Sequence, residues 1–223
     1  MGIRQRAVQA EAKQERHDAI LDAAERLLLR SPARMANVAE VADEAGLAKG
    51  TVYLYFPSKE ELLLAVHERN IDGFFQALIA RLEDDGAVTI DDMLALTNQH
   101  MIEPSLFLPL AARCFGMMGQ GVPAEVTFAF KQRMAQRLQH AGAGLERHFP
   151  DLAAGDGVGL LRRSYALIIG LWQMSGESAG GACGLQLAAA DPVVVGWRYL
   201  DELDIAMRAM WAGTVGRPSS ATR

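Results

Sequence analysis

The sequence predicts an all-α protein, with a three-helix N-terminal unit containing a helix-turn-helix followed by a larger helical bundle. Three observations carry this. Apolar residues recur at helical spacing along most of the chain, with no strand-like alternation, no βαβ spacing and no repeat. Residues 37–56, NVAEVADEAGLAKGTVYLYF, mark two short helices around a glycine turn. Beyond them, proline and glycine clusters cut the chain into segments of helical length.

Taken in order, residues 1–14 carry Arg4, Arg6 and Lys13 and little that could be buried. They predict a flexible basic arm, either reaching phosphates or a minor groove or simply solvated. Helix one runs from Arg16 to Arg30 with Ile20, Ala24, Leu27 and Leu28 inward, and Ser31-Pro32 stops it. In the next helix Val38, Val41, Ala42 and Ala45 share one face. Asn37 and Glu40 fit a capping box at its start, and Gly46 stands where a left-handed residue ends it. Leu47, Val52 and Phe56 then close the core, which leaves Lys49, Gly50, Thr51, Tyr53 and Tyr55 outward.

Small, hydroxyl and cationic groups at the start of such a second helix are what base-edge readout in a major groove requires, and phenolic hydroxyls further along suit phosphate oxygens. Ser58 and Glu61 fit S-x-x-E at the start of a fourth helix, where Lys59 stands beside unpaired N–H groups that favour an anion. That helix continues to about Leu82, too long for the small unit alone, and reads as a strut into the bundle.

In the bundle, Ile90 to Met101 resumes the helical pattern, and Pro104 and Pro109 break SLFLPLAARCFGMMG into short or kinked pieces. Ala124 to Phe149 predicts a long helix. FPDLAAGDGVG predicts a loop; its glycines invite a phosphate-loop reading, but no strand precedes it and the Walker lysine is missing. Leu160 to Gly176 is the most apolar helix, and a final one runs from Val193 to Trp211, with the glycine-rich SGESAGGACG between them.

Composition narrows the function. The net charge of −5 argues against a protein coated in nucleic acid, yet residues 1–60 are neutral overall and the whole deficit falls in the remainder, so nucleic-acid contact must come from a local basic face. Cys114 and Cys183 have no C-x-x-C partner and read as reduced thiols, and no apolar run approaches the length of a membrane span, which predicts a cytoplasmic protein without membrane contact. The five histidines, His17, His67, His100, His140 and His148, show no H-E-x-x-H or i, i+4 pair, and no nucleophile motif is present. Neither a metal, nor a cofactor, nor catalysis is expected.

The segment AGLAKGTVYLYFPSKEEL, with RHDAILDAAERLLLR upstream, resembles the DNA-binding region of the TetR family of transcriptional regulators over about Arg16 to Arg69. The resemblance implies a helix-turn-helix DNA-binding domain at 15–75, an effector-binding and dimerisation domain at 76–213 and a disordered tail at 214–223. It implies a homodimer on double-stranded operator DNA, most often a repressor, released by a small-molecule effector. Lys49 to Thr51 would supply base and phosphate contacts, Tyr53 and Tyr55 backbone contacts and Lys59 a phosphate clamp, with Asn37, at the head of the first hairpin helix, a further DNA-binding candidate. Two departures stand out. Ala48 occupies a position usually held by a serine or threonine cap, which weakens that helix start by about 0.5–2 kcal/mol. SPARMA lacks the usual glycine and threonine before the second helix.

An inducer cavity inside the bundle is the further implication, and soft or aromatic side chains there suit a mostly apolar ligand with few polar anchors. The candidate lining is Phe74, Phe75, Met93, Thr97, Met101, Cys114, Met118, Phe128, Tyr165 and Trp172, each of which also reads as ordinary core. The late helices 160–176 and 193–211 are the candidate dimer interface. Two other readings stand beside this one: a helical small-molecule-binding protein or enzyme that retains the hairpin, and a DNA-associated protein without a ligand.

Overall fold

The computed structural model describes residues 2–31, 37–104, 106–118, 121–175 and 197–216. Among them lie nine α-helices and no strand: α1 Gly2–Arg30, α2 Val38–Ala45, α3 Lys49–Tyr55, α4 Lys59–Glu83, α5 Ile90–Thr97, α6 Phe107–Met117, α7 Ala124–His148, α8 Asp156–Met174 and α9 Tyr199–Val215. No helix among the described residues is long and apolar enough to cross a membrane. Cys183, SGESAGGACG beyond Ser175, and the 214–223 tail from residue 217 on lie outside the described residues.

The all-α expectation holds, and the differences are at the ends of elements. Helix α1 begins at Gly2 instead of Arg16, so the expected arm is helical. AVQAEAKQER, residues 7–16, consists almost wholly of good helix formers without glycine or proline, and it continues the helix into solvent. Burial begins only at Ile20, and from there α1 packs Ile20, Leu21, Ala24 and Leu28 against Val38 and Val41 of α2 and Val52 of α3. Asn37 caps α2 by accepting from the Ala39 and Glu40 N–H groups, Glu40 returns the bond to the Asn37 N–H, and Gly46 ends the helix at φ 66°. That left-handed residue turns the chain between α2 and α3, a conformation glycine adopts without a Cβ penalty.

Two hydrophobic cores result. Leu62, Leu63 and Val66 at the front of α4 belong to the core of the three-helix unit, whereas Ile71, Phe74, Phe75, Leu78 and Leu82 further along belong to the bundle core. Helix α6 is divided in the same way: Leu106, just before it, and Leu110 reach the first core, Phe107, Ala111 and Cys114 the second. Its Pro109 sits in the first turn, where the missing N–H breaks no helical bond. The expected division at 75/76 therefore falls inside a continuous helix, and the front unit is completed by residues from the bundle. Ion pairs fix α1 to α4, with Arg69 reaching Asp22 at 2.7 Å and Glu25 at 2.7 Å.

Helix α5 starts from a Thr89–Asp92 capping box and runs into a π-helical turn, Asn98–Ile102. Helices α7 and α8 form an antiparallel pair whose loop, 149–155, is the expected one, although α8 starts at Asp156 and not at Leu160. Gly155, at φ 91°, makes the corner, and the Glu146 carboxylate of α7 accepts the N–H groups of Gly155 (2.8 Å) and Gly157 (3.0 Å). A protein carboxylate thus occupies the place that a phosphate-loop reading would give to a ligand. Immediately beyond, the two helices touch through Gly142 and Gly157: a Cβ on Gly142 would fall 2.7 Å from the Val158 nitrogen, and one on Gly157 would overlap the Gly142 carbonyl oxygen. Helix α9, expected from Val193, begins at Tyr199 with residues 193–196 outside the described set. Its Tyr199 hydroxyl donates to the Ile168 carbonyl at 3.1 Å and Trp211 Nε1 donates to Ser164 Oγ at 3.1 Å, so α9 is bonded along the length of α8.

Two outcomes follow from this packing. Gly157→Ala should destabilise the protein by about 1–3 kcal/mol through overpacking, whereas Gly170→Ala, with nothing near its Cβ position, should leave urea midpoints unchanged or raised. His67 is buried on α4, and burial, only partly offset by Glu68, lowers its pKa to about 4. The unfolded chain then binds a proton that the folded one refuses, so this contribution is complete above pH 6.5 and is lost as pH falls toward 4. Denaturation of wild type and His67→Leu at pH 7 and pH 5 should show the wild type losing about 2 kcal/mol more than the variant.

Candidate nucleic-acid interface and ligand cavity

The outward face of α3 is built by exclusion. Val52 is fully buried and Phe56 nearly so, which fixes the rotation of the helix and leaves Lys49, Gly50 and Tyr53 exposed. Lys49 Nζ stands 5.8 Å from the centre of the Tyr53 ring, so cation and phenol share one patch. Gly50 has no neighbour near its Cβ position and presents bare backbone. Thr51 is half-buried. Tyr55 is also half-buried, packed on the core with its ring 6.4 Å from that of His17, so it is less free than the outward pattern suggested. Ala48 is the N-cap and provides no side-chain bond to the helix it begins.

Lys59 opens α4 half-exposed, with its ammonium 3.6 Å from Glu60, and Ser58 caps the helix by accepting from the Glu61 N–H at 3.1 Å. Asn37 uses its side-chain oxygen for the α2 cap. The sequence pattern missed Leu54, which is 85% exposed beside Tyr53, because the pattern assigned outward positions of α3 to polar groups only.

The bundle encloses a cavity of about 780 Å³. Phe74 and Phe75 of α4, Met93 and Thr97 of α5, and Met101 in the π turn line one side; Cys114, Met118 and Tyr165 line another. Phe128 does not: it is 68% exposed, because the inward stripe of α7 runs through Thr127, Phe130 and Met134 and leaves position 128 on the opposite face. Trp172 lies instead beside a smaller hollow with Pro109 and Gln173.

None of the buried groups that line the cavity carries charge at neutral pH. Burial pushes the Cys114 thiol up to about 12, which denies it thiolate chemistry, and raises the Tyr165 hydroxyl as well. His67, which the sequence reading weighed only as a metal ligand, also lines the cavity. Its signal was its place on the apolar stripe with Leu63, Ile71 and Phe74. Lys131 and Arg162 contribute to the lining from exposed positions on α7 and α8. Among the described residues no three His, Cys, Asp or Glu side chains gather as a metal site.

Behind this wall α4 is bound to α7 by charge. Arg133 places two nitrogens 2.6 Å from the two Glu68 oxygens, Arg137 adds a third bond at 3.1 Å, and Arg137 also pairs with Asp72. Burial raises the Glu68 carboxyl, but the two guanidinium groups outweigh it and hold it below the usual carboxylate range. At Asp72 burial wins and the pKa is raised.

Comparison with known proteins places both halves of the chain. Residues 20–66 match the family described as bacterial regulatory proteins, tetR family, and residues 68–182 match the tetracyclin repressor-like C-terminal domain, more than half of the chain. A fatty acid metabolism regulator protein of Bacillus subtilis is 33% identical over 73 residues, 33% of this chain and 36% of that protein. An uncharacterised HTH-type transcriptional regulator of Haemophilus influenzae is 36% identical over 75 residues, 34% of this chain and 38% of its own. The chain thus spans little more than a third of the length of these curated relatives. Two solved structures share the fold over most of both chains. SmeT, the repressor of the Stenotrophomonas maltophilia multidrug efflux pump SmeDEF, superposes with TM-score 0.51 at 22% identity, covering 93% of this chain and 96% of its own. A TetR-family transcriptional regulator from Streptomyces coelicolor gives 0.54 at 18% identity, covering 89% and 99%. With the family's N-terminal domain matched in front and its C-terminal domain matched behind, this chain belongs to the TetR family of bacterial regulatory proteins.

Proposed function

We propose that the protein is a ligand-responsive transcriptional repressor that binds operator DNA as a homodimer and is released by a small, mostly apolar molecule held in the bundle cavity. The observation that carries this reading is the double membership of α4. One end bears Ser58 and Lys59 at the outward face of the helix-turn-helix, and the other contributes Ile71, Phe74 and Phe75 to the cavity wall. A molecule that moves the aromatic pair moves the helix that carries the phosphate clamp.

The DNA contacts divide by chemistry. Lys49, Gly50 and Thr51 at the start of α3 face the base edges, whereas Tyr53, Tyr55 and Lys59 hold phosphates, with Leu54 offering apolar contact to a sugar or thymine methyl. One seven-residue helix reads few base pairs, and a two-fold dimer doubles the site if its recognition helices stand about 34–36 Å apart. The apolar residues that α8 and α9 leave exposed, Met174, Leu200 and Ile205, are the surface offered to a second copy. Ligand-driven change in that spacing breaks phosphate contacts on both half-sites together.

Two experiments test the proposal. Lys59→Ala should weaken binding to operator and unrelated DNA alike and lower the salt slope by about one per protomer, while Thr51→Ala should alter preference among sites. Fluorescence anisotropy at several salt concentrations reads both, and an unchanged slope for Lys59→Ala would remove the clamp. Phe75→Leu, which retains apolar volume, should bind operator normally but lose most of the 5- to 150-fold release expected of an effector with coupling of about 1–3 kcal/mol. Equal DNA affinity with and without every cavity-filling molecule would end the repressor reading.

A further inference from the structure

We propose that His67 is the polar anchor of the cavity and that the ligand it selects is an uncharged amphiphile with a hydroxyl group, seated head-first on His67 with its apolar body along Phe74, Phe75 and Met93. This rests on the reading of the cavity as a small-molecule site. His67 is 2% exposed and lines the cavity, and its Nδ1 is buried without a hydrogen-bond partner among the described residues. Buried polar atoms are nearly always bonded, and a bare one on a side chain that lines a cavity is where a ligand's polar group gains most. Its other nitrogen, Nε2, lies 3.5 Å from the Tyr165 hydroxyl, and the Phe107 ring packs at 5.6 Å between centroids, so the imidazole is held in place.

The chemistry of the ligand follows from the chemistry of the anchor. Burial keeps His67 neutral at physiological pH, so it presents either an N–H donor or a bare acceptor, depending on which nitrogen holds the proton. With the proton on Nε2, toward the Tyr165 hydroxyl, Nδ1 is a bare acceptor to which a hydroxyl can donate and an ether cannot. A carboxylate or an ammonium would instead carry an uncompensated charge into an apolar chamber. Glu68, one residue on, does not supply a counter-charge, since its oxygens are taken by Arg133 and Arg137. The cationic lining residues, Lys131 and Arg162, are solvent-exposed on α7 and α8. An anionic amphiphile therefore leaves its head at that rim with its tail inward, and a hydroxyl amphiphile enters the other way round. The volume of about 780 Å³ lies inside the range of about 300–1,000 Å³ common for small-molecule sites.

The test uses the full chain and a neutral fluorescent reporter, N-phenyl-1-naphthylamine, displaced by 1-decanol, by its hydroxyl-free isostere 1-methoxynonane, by decanoate and by decylammonium. Wild type should bind the reporter and release it to decanol at about tenfold lower concentration than to the ether. His67→Leu should erase that preference, His67→Gln should keep it, and decanoate should respond to Lys131→Ala or Arg162→Ala but not to His67→Leu. Reporter binding with no preference for decanol over the ether, or a preference that survives His67→Leu, overturns the anchor and leaves the cavity reading intact. No reporter binding by wild type overturns the cavity reading and the anchor with it. A readout free of variants accompanies these: in wild type labelled with 15N-histidine, decanol should shift the imidazole nitrogens of one of the five histidines and the ether should shift none, and absence of any decanol shift overturns the proposal.

Discussion

Helix α4 must satisfy two hydrophobic cores that lie one after the other along its length, and the rest of the architecture is arranged around that demand. Leu64 already faces the rear core while Val66 still belongs to the front one, so the two cores meet on α4 within a single helical turn. Each fully buried aliphatic side chain on either side is worth about 1.5–3 kcal/mol, which makes independent movement of the ends costly and rigid movement of the whole cheap by comparison. The Glu68 network sits at that junction. Four charged side chains from α4 and α7 are joined there; Glu68, 14% exposed and receiving three hydrogen bonds, and Arg137, 19% exposed, are screened less than surface charges and tie α4 to α7.

Helix α6 adds a second strap across the same gap, and its role explains why the front unit folds with so few residues of its own. Three helices of 29, 8 and 7 residues enclose little apolar surface once the exposed start of α1 is set aside. Leu106 and Leu110 supply the missing lid from the bundle side. What is conventionally a reader attached to an effector part is here one molecule with an interlocked boundary.

Much of this was legible from local signals. Asn37, Gly46 and Ser58 announce themselves because capping chemistry is read from a few neighbouring residues, and the inward faces of α1 to α4 follow from spacing alone. Eight of the ten expected lining residues surround one cavity, since large apolar groups on facing helices have few other places to go. Phe128 and Trp172 fall elsewhere because composition singles out a residue without fixing the rotation of its helix. The start of α1 has too few apolar residues to announce a helix by spacing, although helix propensity needs none. Long-range facts stayed hidden: nothing near Glu68 in sequence points to Arg133, and nothing near Gly157 points to Gly142.

That last contact has a mechanical meaning. Helices α7 and α8 are pressed together at Gly142 and Gly157, next to their connecting loop, and the cavity lies between the stretches that run away from it, Lys131 to Gln139 on one arm and Leu161 to Gln173 on the other. The pair is a set of tweezers with its fulcrum at two missing side chains. Opening grows with distance from the fulcrum, so a guest near Met134 and Tyr165 gains leverage that one near Val158 does not. Because Arg133 and Arg137 ride on the same arm, any spreading of the jaws would pull on Glu68 and through it on α4.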